Sequence, residues 1–247
     1  MKKKFLPAFI IGLLAFNACK KQTEDFTTPQ IEDYSPLVVG KFITYQLDTF
    51  KFLKFGTQDT TVSYQVKHIV DALINDNLGR PAYRIIRYIR KTPQDPWTPD
   101  NTFVSVNTGS SFEFIENNLR FLKLKLPVEN GYTWKGNAYI DTYSLNSDVR
   151  YLDDWDYTYE NLNEPLTVGS IQLDSTIKVN ERDEVIGNPA DVNSYSEKNF
   201  SSEVYAKGIG LVYRQFLHTE FQPATPGFNA SYSDNSYGIT LTMIDHN

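Results

Sequence analysis

The chain has 247 residues, with 24 Lys and Arg against 30 Asp and Glu, a formal net charge of −6 and a single cysteine. The acidic balance excludes the basic footprint of a nucleic-acid-binding protein. One cysteine cannot close an internal disulfide, so the core must come from apolar burial, for which the length is ample.

The first nineteen residues are MKKKFLPAFIIGLLAFNAC. Lys2, Lys3 and Lys4 form a positive region, an apolar stretch runs from Phe5 to Phe16, and Asn17 and Ala18 precede Cys19. This is the layout of a secretory signal peptide, and its apolar run is too short to span a bilayer, which takes about 20 apolar residues. F-N-A-C resembles the lipobox of bacterial lipoproteins, with Phe16 in place of the common Leu. The resemblance implies cleavage before Cys19, and diacylglycerol and a further acyl chain (palmitate) on that residue. Two chains anchor stably where one anchors marginally.

The segment KKQTEDFTTPQIEDYSP that follows is polar, contains Pro29 and Pro36 and has no hydrophobic period, as expected of a flexible tether. The expected organisation is therefore a signal peptide over 1–18, a lipid-anchored tether over 19–36 and an antiparallel β domain over 37–247. Removing Lys2, Lys3 and Lys4 with the leader takes the charge from −6 to about −9, so membrane contact is expected through the lipid alone. Surface-exported lipoproteins of Bacteroidetes-type bacteria carry acidic residues soon after the cysteine. Here Lys20 and Lys21 come before Glu24 and Asp25, which leaves both the periplasmic face of the outer membrane and the cell surface open.

Beyond the tether, period-2 alternation predicts half-buried strands. Ile43, Tyr45 and Leu47 alternate with Thr44, Gln46 and Asp48, and Val62, Tyr64 and Val66 with Ser63, Gln65 and Lys67. RPAYRIIRYIRK (80–91) has charges at helical spacing but is rich in β-branched and aromatic residues, and a strand is expected. Leu122, Leu124 and Leu126 alternate with Lys123 and Lys125, Ile171 to Asn180 alternates likewise, and Ile239, Leu241 and Met243 alternate with Thr240 and Thr242. One polar face per strand suits an antiparallel sheet. Turns are expected at Asn75 to Pro81 and Glu116 to Asn118, a bulge or bend at Gly208 to Gly210, and long loops over Thr92 to Asp100 and Asp183 to Ser196. The fold class expected is all-β: a single antiparallel, strongly curved sheet or partial barrel.

No catalytic motif is present: there is no G-x-S-x-G, no paired-histidine metal motif and no phosphate-binding loop. No catalytic residue, metal or cofactor is expected. His68 continues an apolar face and reads as a hydrogen-bonded core histidine. Asp153 to Asp156 and Glu181 to Glu184 are acidic clusters; the first reads as part of a strand with one solvated face rather than a calcium loop. The aromatics are the strongest hint of a ligand: Trp97 in the proline loop, and Trp155, Tyr157 and Tyr159 in the acidic run, could stack on sugar rings or anchor a partner if exposed. Trp134 reads as core.

YSPLVVGKFITYQLD, GRPAYRIIRYIR, WKGNAYI, EVYAKGIGLVYR and the terminal IDHN together resemble uncharacterised lipoproteins of Bacteroidetes-type bacteria. The opening phrase and G-I-G-L-V also resemble, more loosely, half-barrel periplasmic lipoprotein carriers. The function expected is that of a non-enzymatic envelope lipoprotein that binds a partner or ligand on a curved sheet, an envelope protein or a glycan being the partner, with a glycan-binding surface lipoprotein and an envelope hydrolase as the alternatives. A carrier of acyl chains requires a continuous apolar cleft of about 300 Å³ or more. A glycan binder requires exposed aromatics, and an envelope hydrolase requires carboxylates converging in one pocket.

Overall fold

The computed structural model describes residues 29–247. Its strands are β1 (Phe42–Leu53), β2 (Gln58–Asn75), β3 (Pro81–Arg90), β4 (Thr98–Asn107), β5 (Ser111–Glu116), β6 (Leu119–Lys125), β7 (Thr133–Lys135), β8 (Asp156–Val168), β9 (Ile171–Gly187), β10 (Ser196–Ala206), β11 (Gly210–Gln222), β12 (Ser231–Tyr232) and β13 (Tyr237–His246). They pair in the order β6-β5-β4-β3-β2-β1-β13-β11-β10-β9-β8-β7, with β12 attached to β11 alone. The sheet is antiparallel, nearly closed and barrel-like. Around the wall each strand lies beside its neighbours in sequence, and β13 returns to pair with β1 from Ile43↔His246 to Lys51↔Tyr237.

The two free edges, β6 and β7, meet at a seam. One backbone bond crosses it, from Leu122 N to Gly136 O (2.8 Å). Three further edge groups are satisfied by side chains. Trp134 Nε1 donates to Leu122 O (2.7 Å), and the Tyr159 hydroxyl accepts from Lys125 N (2.8 Å) and donates to Lys125 O (2.9 Å). An unpaired edge is a template for aggregation, and here two aromatic side chains occupy it. Gly136 permits the approach, because a Cβ there would lie 2.4 Å from the Tyr157 ring.

The segment 80–91 is strand, as β-branching favours. Asn117 and Asn118 both take positive φ (52° and 63°) in the two-residue β5–β6 turn, the geometry that matches strand twist in a tight hairpin. Three boundaries differ from expectation. Strand β4 starts at Thr98, inside the expected proline loop, and Pro99 is tolerated because it lies at the register shift between Arg87 and Tyr88. Strand β9 runs on to Gly187, so the second long loop covers only 188–195. Gly208 to Gly210 forms the β10–β11 turn, and the bulge falls beside it, between Val204 and Tyr205.

The end of the expected tether is packed. Helix α1 (Ile31–Tyr34) buries Ile31 and Tyr34 completely. The Tyr34 hydroxyl donates to Asn163 Oδ1 (2.7 Å), and Gly208 N donates to Asp33 O (2.7 Å). Two apolar side chains in a polar stretch suffice to dock it, so the globular unit begins ahead of residue 37. Outward residues such as Gln46, Asp48, Ser63 and Gln65 and the ion pair Arg84–Asp71 are polar, the reverse of the apolar band on a membrane-spanning barrel. Among the described residues no helix is long and apolar enough to cross a membrane.

Candidate ligand chamber inside the barrel

Eight strands make a barrel that side chains can just fill. Twelve leave a lumen, and this one is occupied by aromatic rings, a set of buried charges and two cavities. The first cavity, about 120 Å³, is walled by Leu47, Phe103, Phe112, Phe114, Ile239 and Leu241, with Tyr34 to Leu37 and Lys41 completing one side. The second, about 220 Å³, is lined by Tyr151, Trp155, Tyr157, Glu181, Phe216 and Tyr237. Glu116, Lys123, Arg214 and Ile239 line both and stand between them. The apolar volume therefore falls below what an acyl-chain carrier requires, and charged side chains interrupt it.

The partition is a connected ion-pair network. Lys123 Nζ donates to Glu181 Oε1 (2.8 Å) and Glu203 Oε1 (2.7 Å). Ser201 Oγ donates to Glu181 Oε2 (2.6 Å), and the Tyr205 hydroxyl to Glu203 Oε2 (2.5 Å). Arg214 donates to Glu116 Oε2 (2.9 Å), with its Nε 3.4 Å from Glu203. Burial and the neighbouring Glu203 charge raise the Glu181 pKa, against the opposing pull of Lys123. Burial also opposes ionisation of Glu203, but Lys123 and Arg214 outweigh it and its pKa is lowered. Glu116 is lowered in the same way, Arg214 prevailing over burial. Ion pairs so deep survive only when their hydrogen bonds are complete.

On the apolar side the accounting does not close. The His68 ring lies between Tyr45 (centroids 5.1 Å) and Phe103 (5.2 Å), and its Nε2 is shielded from solvent with no hydrogen-bond partner. Burial first, then the Arg87 charge, pushes its pKa down to about 3, so the ring is neutral. The Arg214 Nε–H is likewise buried without an acceptor at hydrogen-bond geometry. Arg87 also faces the cavity; its Nε donates to Asp100 (2.5 Å), and its terminal nitrogens donate to no described residue. The expected hydrogen-bonded core histidine is thus a stacked histidine with an unmet polar atom. Buried polar groups are nearly always satisfied. Among the described residues five buried side-chain atoms are not. Two of them, His68 Nε2 and Arg214 Nε, belong to residues that line this chamber, while Thr44, Ser105 and His246 lie outside it.

The aromatic candidates separate. Trp155 (2% exposed), Tyr157 (1%) and Tyr159 (1%) are core residues and offer no platform to a glycan. Alternation puts them on one face, as expected, but that face is the barrel interior, where Trp155 packs on Phe216 (6.2 Å) and Tyr159 on Trp134 (4.5 Å). Trp134 is core as expected. Trp97 is half-buried, with the Arg90 guanidinium 4.2 Å over its ring. Cys19 lies outside the described residues.

The acidic clusters are parted by strand alternation. Asp154 and Asp156 share Lys135 (2.5 and 2.8 Å) at the surface. Glu181 turns inward while Arg182 and Glu184 pair with each other. Among the described residues no three His, Cys, Asp or Glu side chains are grouped to hold a metal. His218, stacked on Tyr151 (3.9 Å), bonds Asn199 through Nδ1 (2.7 Å).

Sequence reasoning missed Lys123, Glu203 and Arg214. Lys123 reads as the wet side of an alternating strand, and its partners lie 58 and 80 residues away on strands that are not its neighbours in the sheet. Only closure across the lumen brings them together. Glu181 and Glu203 flank one point, as the carboxylates of a glycosidase do, but the Lys123 ammonium occupies that point. No family model matches this chain, and no curated protein is significantly similar to it.

Proposed function

We propose that this protein is a lipid-anchored lipoprotein of the outer membrane, held through acylated Cys19, that binds a small ligand inside its barrel without chemical conversion. The observation that carries the binding reading is a cavity with an aromatic wall that is lined by His68 and Arg214, whose Nε2 and Nε are buried without a hydrogen-bond partner. The carboxylates beside it are committed to ion pairs, which supports a binding role over an acid–base one. The leader and the F-N-A-C sequence support export and acylation. The packed start of the domain at Ile31 leaves a short polar link between lipid and barrel.

Two measurements test the two halves. Metabolic labelling with palmitate should mark the wild-type chain and not Cys19→Ser, and the variant should leave the membrane fraction; equal labelling ends the anchoring reading. A neutral fluorescent naphthylamine should bind the protein and be excluded by Leu47→Phe, which narrows the chamber; binding unaffected by that change ends the interior-site reading.

A further inference from the structure

We propose that the apolar chamber takes a small organic carboxylate bearing one ring or a short alkyl chain, with its carboxylate held by Arg87 and Arg214. This rests on the reading of the barrel interior as a ligand site and names the ligand's chemistry. Four cations line the chamber, Lys41, Arg87, Lys123 and Arg214, against two anions, Glu116 and Glu203. Lys123 gives two of its three N–H groups to its glutamates, and Lys41 Nζ donates to Gly208 O. On the two guanidinium groups, the terminal nitrogens of Arg87 and the Nε–H of Arg214 have no hydrogen-bond acceptor among the described residues. Guanidinium groups are donors only, so what completes them is an acceptor, and a carboxylate is the acceptor their fork geometry fits best.

His68 Nε2 borders the same space and, as a neutral ring, adds a donor or an acceptor according to tautomer. Beyond the arginines the wall is Phe103, Phe112, Phe114, Leu47 and Leu241. That surface cannot repay the dehydration of an inorganic anion but suits a hydrocarbon body. The size is set by the cavity: about 120 Å³ is close to the roughly 150 Å³ of an engineered apolar cavity that accepts benzene. A long acyl chain does not fit.

Fluorine NMR on the full chain in lipid vesicles, referenced to empty vesicles, tests this with 4-fluorobenzoate and 4-fluorobenzyl alcohol. The acid should bind at least about tenfold more tightly than the alcohol, the worth of a charge-assisted hydrogen bond. Arg87→Met should remove that preference and leave alcohol binding unchanged, which also reports that the variant is folded. Arg87→Lys should keep part of it. Equal binding of acid and alcohol, or an Arg87→Met chain that still prefers the acid, overturns the carboxylate assignment while uptake of the naphthylamine still upholds the interior site. Failure of all three probes to bind overturns both.

Discussion

The two sides of the barrel lumen solve the same problem in opposite ways. Around Lys123, polar groups are buried and every carboxylate oxygen that faces the ammonium has a partner; around His68, the surroundings are apolar and the few polar atoms are left unmet. The network is complete at Glu181 and Glu203, where it holds the wall strands in place, and open at the Arg214 Nε–H. An incomplete network costs free energy in the empty protein, and that cost can be recovered on binding. Under the proposed binding role, one side is structural and the other recognises the ligand.

The strongest way to break this contrast is Lys123→Met. It leaves Glu181 and Glu203 buried without their cation and should cost about 3–5 kcal/mol in urea unfolding. Adding Glu181→Gln and Glu203→Gln should return most of that loss, because the uncompensated charges go with the lysine. A single variant as stable as wild type would mean that the network supports nothing. Tyr205→Phe is milder. It removes one donor from the ionised Glu203 and should cost about 1.5–3 kcal/mol.

The smallest effect at neutral pH, and the sharpest in its pH dependence, is His68→Phe. The native pKa of about 3 lies below the ordinary value of 6.5. Its contribution to stability is therefore complete above about pH 6.5 and is lost as the pH falls toward 3. The phenylalanine variant should lose less stability than the wild type as the pH falls from 6.5 to about 4.5, the remaining loss coming from His218, whose pKa burial also lowers. Below about 4.5 protonation of Glu116 and Glu203, whose pKa values are lowered, begins to act on both proteins. Glu181, with its raised pKa, works in the opposite sense: its contribution is full below about 4.5 and fades as the pH rises through its native value. Urea titrations at pH 7, 5.5 and 4.5 would measure the difference, and parallel curves for the two proteins would remove His68 from the acid response.

Some of this was readable residue by residue. Alternation in Ile43–Tyr45–Leu47 marked one side of β1 as inner, and the structure lines the chamber with all three. The turn at Glu116–Asn118 was legible because two consecutive asparagines accept positive φ. Trp155, Tyr157 and Tyr159 were placed on one face and offered to a ligand on the condition of exposure; the structure buries all three, and alternation separates two faces without saying which is inside. Lys123 failed for the same reason in reverse: a charge in an alternating run reads as the wet side, whereas β6 is buried around Leu122, Lys123 and Leu124 alike.

By itself the amino-acid sequence determined the strands, most of their turns and the absence of any local catalytic motif, because these follow from period-2 spacing and backbone preferences within a few residues. Only the tertiary structure decided that the curved sheet comes round almost to closure, that Trp134 and Tyr159 seal its seam, and that Lys123 meets glutamates from across the lumen. Those contacts join residues tens of positions apart on strands that are not neighbours, and no local pattern encodes a distance across a barrel.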